Sequence, residues 1–355
     1  MIKAVSLFSS GGIGTMYFKD IGIDIVVANE LIKKRCDFHK YLYPNTAIIN
    51  GDIGSQSIKD EIATYISDDV KMLIATPPCQ GVSTLGVNKK NADYISDKRN
   101  YLIYDVFYFI DKYDFDYIII ENVSRFLKMK FPTDDGFKDI SEIVLEKYSN
   151  IYHIEILDLN AKDFGVPQSR PRCFIKLYKK DKSWINPKKE KEITLKEAIG
   201  HLPSLESGQD SGIKNHVAKK HNEREVLCMK YTATGESAMK NELYYPKKKD
   251  GEKIKGFHNT YKRLEWDKPC HARTTNSGNI GSHNNVHPGR RLQDGTFSDA
   301  RVLTLRELFL VSSINPNLDI PESYSDTFIR HLVGEAVPPS FFMKMVRGVC
   351  DGKIK

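Results

Sequence analysis

The sequence lacks the features of a membrane protein, a disulfide-framework protein or a zinc ribbon. Its six cysteines are scattered and contain no Cys-x-x-Cys pair, which argues against zinc ribbons and disulfides and favours a reducing compartment. No apolar run is long enough to span a membrane, and no internal repeat is visible. The apolar start, residues 1–8, runs into a glycine-rich turn without a cleavage site, which predicts a strand and not a signal peptide. We therefore expect a cytoplasmic protein.

The positive charge of the chain is concentrated in one segment. Of 355 residues, 28% are charged and 40% are hydrophobic, and the formal net charge is +7. This composition excludes disorder, and the length predicts one large domain plus a smaller one. Residues 173–260 contain 19 basic and 12 acidic residues, which accounts for the whole net charge. Such a segment can follow a phosphate backbone, although a solvated lysine surface would show the same charge.

Apolar runs of strand length alternate with longer amphipathic stretches in the first half of the chain. Continuous runs of Val, Ile and Leu are typical of strands buried on both faces of a parallel sheet. We therefore predict a doubly wound α/β fold. The predicted strands are Val5–Phe8, Ile23–Ala28, Ala47–Asn50, Met72–Ala75, Tyr117–Ile120 and Tyr152–Leu157.

This alternation of apolar and amphipathic stretches is lost after Lys179, where Gly, Pro and Lys separate short apolar pieces. It returns in two predicted amphipathic helices, Arg301–Ser312 and Phe341–Val349. The pattern predicts a first domain over 1–179, a smaller irregular domain over 180–300, and a segment over 301–355 that returns to the first core.

A glycine-rich turn, Phe8 to Gly14, follows the first strand, and we predict a helix from Thr15. Glycines let a ligand approach the backbone, and the N–H groups at a helix start favour negative charge. Glu30 ends the second strand, where a ribose diol would be bound, and Asp52 follows the third. Together they suggest an adenosine-containing cofactor, either a dinucleotide or S-adenosylmethionine. A tight strand–helix junction with Glu30 and Asp52 as helix caps is the alternative.

Candidate catalytic groups follow the next strands. In Pro77-Pro78-Cys79-Gln80, two prolines fix the backbone before a loop thiol at the edge where open α/β sheets bind ligands. Glu121 follows the fifth strand at the same edge, as a general acid or as a helix cap. Arg170 and Arg172 offer two guanidinium groups for planar acceptors such as a pyrimidine carbonyl or a phosphate. Ordinary surface arginines are the alternative.

The order of these motifs resembles the bacterial DNA cytosine-5 methyltransferases of restriction-modification systems. Pro-Cys-Gln, then Glu-Asn-Val, then Gln-x-Arg-x-Arg, in this order, is highly specific. Residues 180–300 have no match, and there the family carries its variable target recognition domain. Three residues depart from the family pattern: Ser6 replaces Asp, Ser10 replaces Gly, and Glu335 replaces Asn. The matching blocks are Phe8–Gly14, Glu30, Asp52, Pro77–Gln80, Arg99–Leu102, Glu121–Val123, Gln168–Arg172, Arg301–Glu307 and Gly334–Pro339.

The resemblance implies the Rossmann-like doubly wound sheet of S-adenosylmethionine-dependent methyltransferases with a smaller, irregular target recognition domain. Cys79 would add to carbon 6 of cytosine, Glu121 would bind or protonate nitrogen 3, and Arg172 with Arg170 would hold the carbonyl oxygen. S-adenosyl-L-methionine would become S-adenosyl-L-homocysteine, and no metal is needed. The implied cofactor-binding residues are Phe8, Ser9, Gly11, Gly12, Ile13, Gly14, Glu30, Leu31, Asp52, Ile53, Pro78, Leu102, Glu335 and Val337. The implied DNA-binding residues are Gln80, Ser83, Lys89, Lys90, Gln168 and Arg273.

The implied partner is double-stranded DNA, from which the target base must rotate out of the stack. We expect a loop over Gln80–Asn100 to close over the DNA, and 180–300 to read bases, with His271–Asn276 and Lys247–Lys255 as candidates. A monomer and a cognate restriction endonuclease acting on the same site are also expected. Three alternatives remain: a transfer RNA cytosine-5 methyltransferase of the same fold, an NAD-dependent oxidoreductase, and a catalytically silent DNA-binding module. The length of 180–300 favours DNA, and the Pro-Cys-Gln block disfavours the oxidoreductase.

Overall fold

The computed structural model describes residues 1–78, 101–248 and 250–351. The chain divides into two compact units. Unit 1 consists of Met1–Asn160, Pro171–Lys188 and Phe342–Lys355, and unit 2 of Ala161–Arg170 and Lys189–Phe341. The structure thus groups residues 301–341 with unit 2, so only the last part of the predicted C-terminal return lies in unit 1.

The strands confirm all six strand predictions. The strands of the described residues are β1 Ile2–Leu7, β2 Ile23–Glu30, β3 Ala47–Asn50, β4 Val70–Ala75, β5 Tyr117–Asn122, β6 Lys130–Thr133, β7 Gly136–Asp139, β8 Tyr152–Asn160, β9 Gln168–Ser169, β10 Pro171–Lys179 and β11 Cys270–His271. Unit 1 is built on a seven-stranded sheet of order β3-β2-β1-β4-β5-β10-β8.

Five neighbouring strands of this sheet, β3 to β5 in spatial order, are parallel, as predicted. The unpredicted strand β10 lies antiparallel between β5 and β8, with Ile175 opposite both Ile120 and Ile156. Its apolar residues fill the centre of the sheet, since Phe174 and Ile175 are fully buried. The sequence pattern missed this strand because its first residues belong to the arginine motif.

The helices differ more from the predictions than the strands do. Predicted helix Arg301–Ser312 is confirmed over its second half, where Thr304 and Glu307 form a capping box, and Phe341–Val349 is confirmed within a longer helix. The α-helices in the described part of the chain are α1 Lys33–Leu42, α2 Gln56–Ala63, α3 Ile103–Lys112, α4 Ile140–Tyr148, α5 Leu195–Ile199, α6 Glu223–Lys230, α7 Leu305–Val311, α8 Asp326–Glu335 and α9 Pro339–Asp351. None of these is both long and apolar enough to cross a bilayer.

The predicted helix from Thr15 is wrong. Consecutive turns follow the glycine-rich loop, and a short 3-10 helix, Lys19–Ile21, ends at Gly22 with φ of 82°. Only eight residues separate the loop from Ile23, the first residue of β2. That length suits a 3-10 turn better than an α-helix, and it places Phe18 in the core at 1% exposure.

The C-terminal helix α9 packs on the unit 1 sheet. The ring of Phe342 lies 5.1 Å from that of Phe18 and 6.0 Å from that of Phe174. Trp184 donates its indole N–H to the carbonyl of Met345 at 2.8 Å. These contacts tie residues from both ends of the chain into one core.

Unit 2 has little regular structure and is held by buried charges. The fully buried guanidinium of Arg301 donates to both carboxylate oxygens of Glu307, at 2.7 and 2.9 Å, and to Asp299 at 2.8 Å. Burial alone would raise the pKa of Glu307, but Arg301 lowers it to about 2. Because each of these buried charges has a partner, the network ties the irregular backbone at Asp299 and Arg301 to helix α7, which contains Glu307.

Candidate active site

The glycine-rich loop after β1 is held in a conformation that few residues adopt. Phe8, Ser10 and Gly12 have φ angles of 59°, 48° and 75°. A Cβ atom on Gly12 would lie 2.6 Å from Cε2 of Tyr43 and 3.0 Å from Cδ2 of His39. Only glycine fits there, and backbone strain of this kind is concentrated at functional sites.

Glu30 at the end of β2 positions this loop. Its carboxylate oxygens accept the backbone N–H groups of Ser10, at 3.0 Å, and Ile32, at 2.8 Å. Ser9 also donates its backbone N–H to the carbonyl of Asn29 at 2.9 Å. The predicted cofactor residue Glu30 therefore also organises the loop, which the sequence prediction did not include.

The ends of β2 and β3 are joined by Asn50, which the sequence analysis missed. Its side-chain amide donates to the carbonyls of Glu30, at 3.1 Å, and Leu31, at 2.8 Å. The side chain of Leu31 is 64% exposed, and Asp52 is exposed while Ile53 is buried. Glu30, Leu31 and Asp52 thus lie at the ends of two paired strands. Their carboxylates can accept hydrogen bonds and Leu31 offers an apolar face, which are the features that an adenosine group requires.

The candidate catalytic carboxylate lies at the ends of β5 and β10. Oε1 of Glu121 is 2.8 Å from Nε of Arg172, and the two side chains are 9% and 14% exposed. The antiparallel register that pairs Glu121 with Phe174 brings this arginine beside the carboxylate. A nearly buried pair of this kind offers a carboxyl group and a guanidinium to one planar ligand.

Asn122 connects this pair to the segment before the candidate nucleophile. Its amide donates to the carbonyl of Pro77 at 3.1 Å and its oxygen accepts the N–H of Val123 at 2.9 Å. The Pro77-Pro78 segment is thereby fixed to β5 next to Glu121. The predicted residues Cys79, Gln80, Ser83, Lys89 and Lys90, and the predicted loop through Asn100, lie outside the described residues.

The four cysteines whose side chains the structure describes, Cys36, Cys173, Cys228 and Cys270, are buried, which favours the protonated thiol. Burial, with the charge of Glu30 next, raises the pKa of Cys36 to about 11. Burial and then Glu121 raise the pKa of Cys173, although it adjoins Arg172. Burial also raises the pKa of Cys228 and Cys270. A raised pKa keeps a thiol protonated and unreactive near neutral pH.

The other predicted site residues are packed inside unit 1 or unit 2. Pro78 is partly buried, and Leu102, at the N-terminus of α3, packs against the unit 1 core. Val337 is 3% exposed. Glu335 lies 3.5 Å from Nδ1 of His331, one helical turn earlier. The loop residues Gly11 and Ile13 are buried, and Gly14 is partly buried.

Arg170 belongs to unit 2, whereas Arg172 belongs to unit 1. The 3% exposed Arg170 donates to three backbone carbonyls, those of Arg273 at 2.8 Å, Gly334 at 2.7 Å and Glu335 at 3.2 Å. The structure thus gives Arg170 a positioning role, in contrast to the prediction that it shares a base contact with Arg172.

Gln168 and Arg273, predicted to contact DNA, are 1% and 2% exposed. Gln168 donates to the carbonyl of Val311 at 3.3 Å and accepts the backbone N–H of Arg273 at 3.3 Å. The guanidinium of Arg273 donates to the carbonyl of Asn284 at 2.6 Å and to Oδ1 of Asn285 at 3.2 Å. Both side chains use their polar groups inside unit 2 and present no surface to DNA in this structure.

The sheet order and the strand directions define a doubly wound α/β fold of the kind found in S-adenosylmethionine-dependent methyltransferases. The sequence matches the C-5 cytosine-specific DNA methylase family over residues 2–349. The chain belongs to this family, which confirms the resemblance, and it is a DNA (cytosine-5)-methyltransferase. The oxidoreductase alternative is thereby excluded.

Individual relatives match most of the length of this chain. The chain is 43% identical over 349 residues to the Type II methyltransferase M1.HgaI of Avibacterium volantium, and the match covers 98% of each chain. It is 27% identical to the Type II methyltransferase M1.HphI of Haemophilus parahaemolyticus, covering 94% of this chain and 83% of that one. The fold matches a solved Escherichia coli structure, described as a DNA modification methyltransferase encoded within a prophage, over 100% of both chains with a TM-score of 0.72 and 16% identity.

Proposed function

We propose that the protein methylates carbon 5 of a cytosine in duplex DNA through a covalent Cys79 adduct, as the modification enzyme of a Type II restriction-modification system. The pairing of Glu121 with Arg172 at 2.8 Å carries this proposal. The names of the Type II relatives support the restriction-modification assignment and a cognate endonuclease. A cytoplasmic location and a monomeric state stay predictions.

The residues around the glycine-rich loop fit S-adenosyl-L-methionine, which when bound supplies an electrophilic methyl group. Tyr43 and His39 fill the space beside Gly12, so this glycine lets the loop pack closely against these side chains and keep its unusual backbone conformation. Glu30 and Asp52 offer carboxylates to hydroxyl and amino groups, and Leu31 offers an exposed apolar face. Phe8, Ser9, Pro78, Leu102, Glu335 and Val337 stay predicted cofactor residues, and S-adenosyl-L-homocysteine is the predicted product.

The protein must make carbon 5 nucleophilic before it can accept a methyl group. The Cys79 thiolate adds to carbon 6 while Glu121 binds or protonates nitrogen 3, which leaves an electron-rich double bond at carbon 5. Arg172 holds the carbonyl oxygen and offsets negative charge that develops on the ring. After methylation, loss of the carbon 5 proton restores the double bond and expels the thiol. An ordinary cysteine has a pKa of about 8.5, so the site must favour the thiolate.

The target base must leave the stack to reach these groups, at a cost of a few kcal/mol. We propose that residues 80–100, with Lys89 and Lys90, close over the DNA. Residues 180–300, within which Lys247, Lys248, Lys253 and Lys255 are all exposed, would contact the duplex. Lysines place the protein on the phosphates, whereas sequence is read at base edges.

A trapping experiment tests the covalent step. Duplex DNA with 5-fluorocytosine at the target should give a stable adduct with the wild type, because fluorine blocks the final elimination. Cys79→Ser should give no adduct and lose methyl transfer while it still binds cofactor and DNA. Cys228→Ser, which changes a buried thiol of unit 2, should form the adduct normally. The covalent proposal is wrong if peptide mapping places the adduct on another residue or if Cys79→Ser turns over at the wild-type rate.

Two further measurements establish the substrate. Methyl incorporation into duplex DNA and into transfer RNA, assayed side by side, tests the duplex DNA substrate; incorporation into transfer RNA alone would contradict it. Bisulfite sequencing of a plasmid from cells that express the protein then gives the recognition sequence and the modified position.

A further inference from the structure

Two exposed cations follow the candidate catalytic carboxylate on a short 3-10 helix of unit 1. This helix, Ser124–Lys128, begins three residues after Glu121. Arg125 and Lys128 are both exposed, whereas Phe126 between them is 3% exposed. We call Arg125 and Lys128 the basic ridge. The proposed reaction uses neither of them.

Both side chains of the basic ridge leave the helix on the same side. A 3-10 helix has three residues per turn, so residues three apart lie one above the other, with their backbones about 6 Å apart along the axis. The burial pattern agrees with this geometry, because Arg125 and Lys128 are exposed while Phe126 is buried and Leu127 is half-buried. The ridge is therefore a short row of two positive charges in solvent.

The charge of the basic ridge is not neutralised by its neighbours. In the part of the chain that the structure describes, neither Arg125 nor Lys128 forms an ion pair with a carboxylate, whereas Lys130 is paired with Asp139 at 2.9 Å. The carboxylate of Asp158 contacts the same helix, where it accepts the Ser124 hydroxyl at 2.5 Å. Two cations beside one carboxylate leave an excess of positive charge, which favours an anionic partner.

The helix that carries the basic ridge is fixed to the strands of the candidate active site. The carbonyl of Val123 accepts the backbone N–H of Phe126 at 2.8 Å and the thiol of Cys173 at 3.3 Å. The ring of Phe126 also packs against that of Phe131, with centroids 5.5 Å apart. Since Cys173 directly follows Arg172 on β10, these contacts hold the ridge in a constant position relative to the Glu121–Arg172 pair. Only the two long side chains remain to be ordered when a ligand binds.

The basic ridge is close to where the backbone of an extruded nucleotide would lie. Four residues separate Glu121 from Arg125, so their Cα atoms are at most about 14 Å apart. A base that contacts Glu121 and Arg172 stays attached, through its sugar, to one phosphate on each side. These two phosphates must therefore lie at the same edge of the sheet as the ridge.

We propose that Arg125 and Lys128 bind the phosphates that flank the target cytosine and so hold the strand while its base is extruded. The proposal rests on the proposed function, because a base at the Glu121–Arg172 pair brings these phosphates to the ridge. A guanidinium can bind two phosphate oxygens at once, and an ammonium group attracts a phosphate as a point charge. Phosphate contacts position the DNA and carry no sequence information, so the ridge would serve whatever sequence unit 2 selects.

The test removes charge from the protein and from the DNA in combination. Labelled duplexes carry the target sequence found by bisulfite sequencing, with uncharged methylphosphonates either on both sides of the target cytosine or at remote positions. Fluorescence anisotropy is recorded for the wild type, Arg125→Gln and Lys128→Gln. The control is Lys19→Gln. Lys19 is an exposed lysine of another 3-10 helix, Lys19–Ile21, which precedes β2 and so lies at the opposite edge of the parallel strands.

The salt dependence of binding gives the expected magnitude. Each lost phosphate contact reduces the slope of log K against log salt concentration by about 0.9. Over a fourfold rise in salt, the affinity of Arg125→Gln or Lys128→Gln should therefore fall about 3.5-fold less than that of the wild type. Methylphosphonates beside the target should abolish this difference, because the contacts are then already lost, whereas remote methylphosphonates should preserve it. Lys19→Gln should keep the wild-type slope on every duplex.

Two results would overturn the proposal. Wild-type slopes for both Arg125→Gln and Lys128→Gln would show that the ridge binds no phosphate. Reduced slopes that persist on the duplex with methylphosphonates beside the target would show contacts elsewhere on the DNA and would overturn the assignment to the flanking phosphates.

Methyl incorporation into DNA, measured in parallel, separates this proposal from the proposed function. A wild type that methylates DNA while both variants keep its slope fails only the ridge. A wild type that methylates no DNA fails the proposed function and the flanking assignment together, and slopes on a duplex of arbitrary sequence then still show whether the ridge binds DNA.

Discussion

The ion pair between Glu121 and Arg172 should be measurable as a coupling free energy. Its two atoms are 2.8 Å apart and the side chains are only 9% and 14% exposed. Arg172→Met would leave a nearly buried carboxylate without its cation, which costs about 3 kcal/mol, at the low end of the range for such pairs. Glu121→Gln keeps an oxygen that can accept from Arg172, so it should cost about 1–2 kcal/mol. The double variant has no buried carboxylate, so its loss of stability should be smaller than the sum of the two single losses. This difference corresponds to a coupling free energy of about 2–3 kcal/mol.

The assay must report on unit 1 alone, since a chain with two compact units need not unfold in one step. The sequence has two tryptophans, Trp184 in unit 1 and Trp266 in unit 2. In a Trp266→Phe background, the fluorescence of Trp184, which is 4% exposed, follows urea unfolding of unit 1. The four members of the cycle are compared in this background.

The same four proteins should be assayed for single-turnover methyl transfer. Glu121→Gln should slow transfer by about 10²–10⁴-fold, the usual contribution of a general acid, and Arg172→Met by about 10²–10³-fold. Because the two side chains act on one ring, the losses should not multiply in the double variant. A coupling free energy below about 0.5 kcal/mol, the limit expected for independent sites, together with multiplicative rate losses, would show that the pair does not act as a unit.

Two further predictions follow from the geometry. Gly12→Ala should weaken cofactor binding in a calorimetric titration, because its Cβ would meet Tyr43 at 2.6 Å and displace the glycine-rich loop. Gly22→Ala is the control, since Gly22 has a similar φ of +82° but open space around it. Equal cofactor affinities of the two variants would contradict a role for the close packing at Gly12. Burial lowers the pKa of Lys176 to about 8 from 10.5, so the unfolded chain binds the extra proton between these pH values. The free energy of unfolding should therefore rise with pH in this window by about 3 kcal/mol relative to Lys176→Met, and a constant difference across the window would contradict this reasoning.

Local patterns predicted the parallel half of the sheet. Strands buried on both faces produce continuous apolar runs, so β1 to β5 and β8 were found from periodicity. The segment after Gly14 was mispredicted as a helix although the predicted strand at Ile23 left only eight residues for it, a length that suits a 3-10 turn better than an α-helix. Asn50 and Asn122 were missed because a single asparagine near a strand end carries no pattern, although each joins two strand ends.

The chain alone determined which chemical groups are present and in what order, and this was sufficient to recognise the family, because motif order is a property of the covalent sequence. Tertiary structure decided which groups meet. Antiparallel insertion of β10 places Arg172 beside Glu121, whereas Arg170, two residues earlier, is buried in the other unit. In the same way, Arg330 donates to the carbonyl of Ser277, which lies 53 residues earlier in the chain. Periodicity records whether a residue is buried, but its partner depends on long-range pairing that no local pattern encodes.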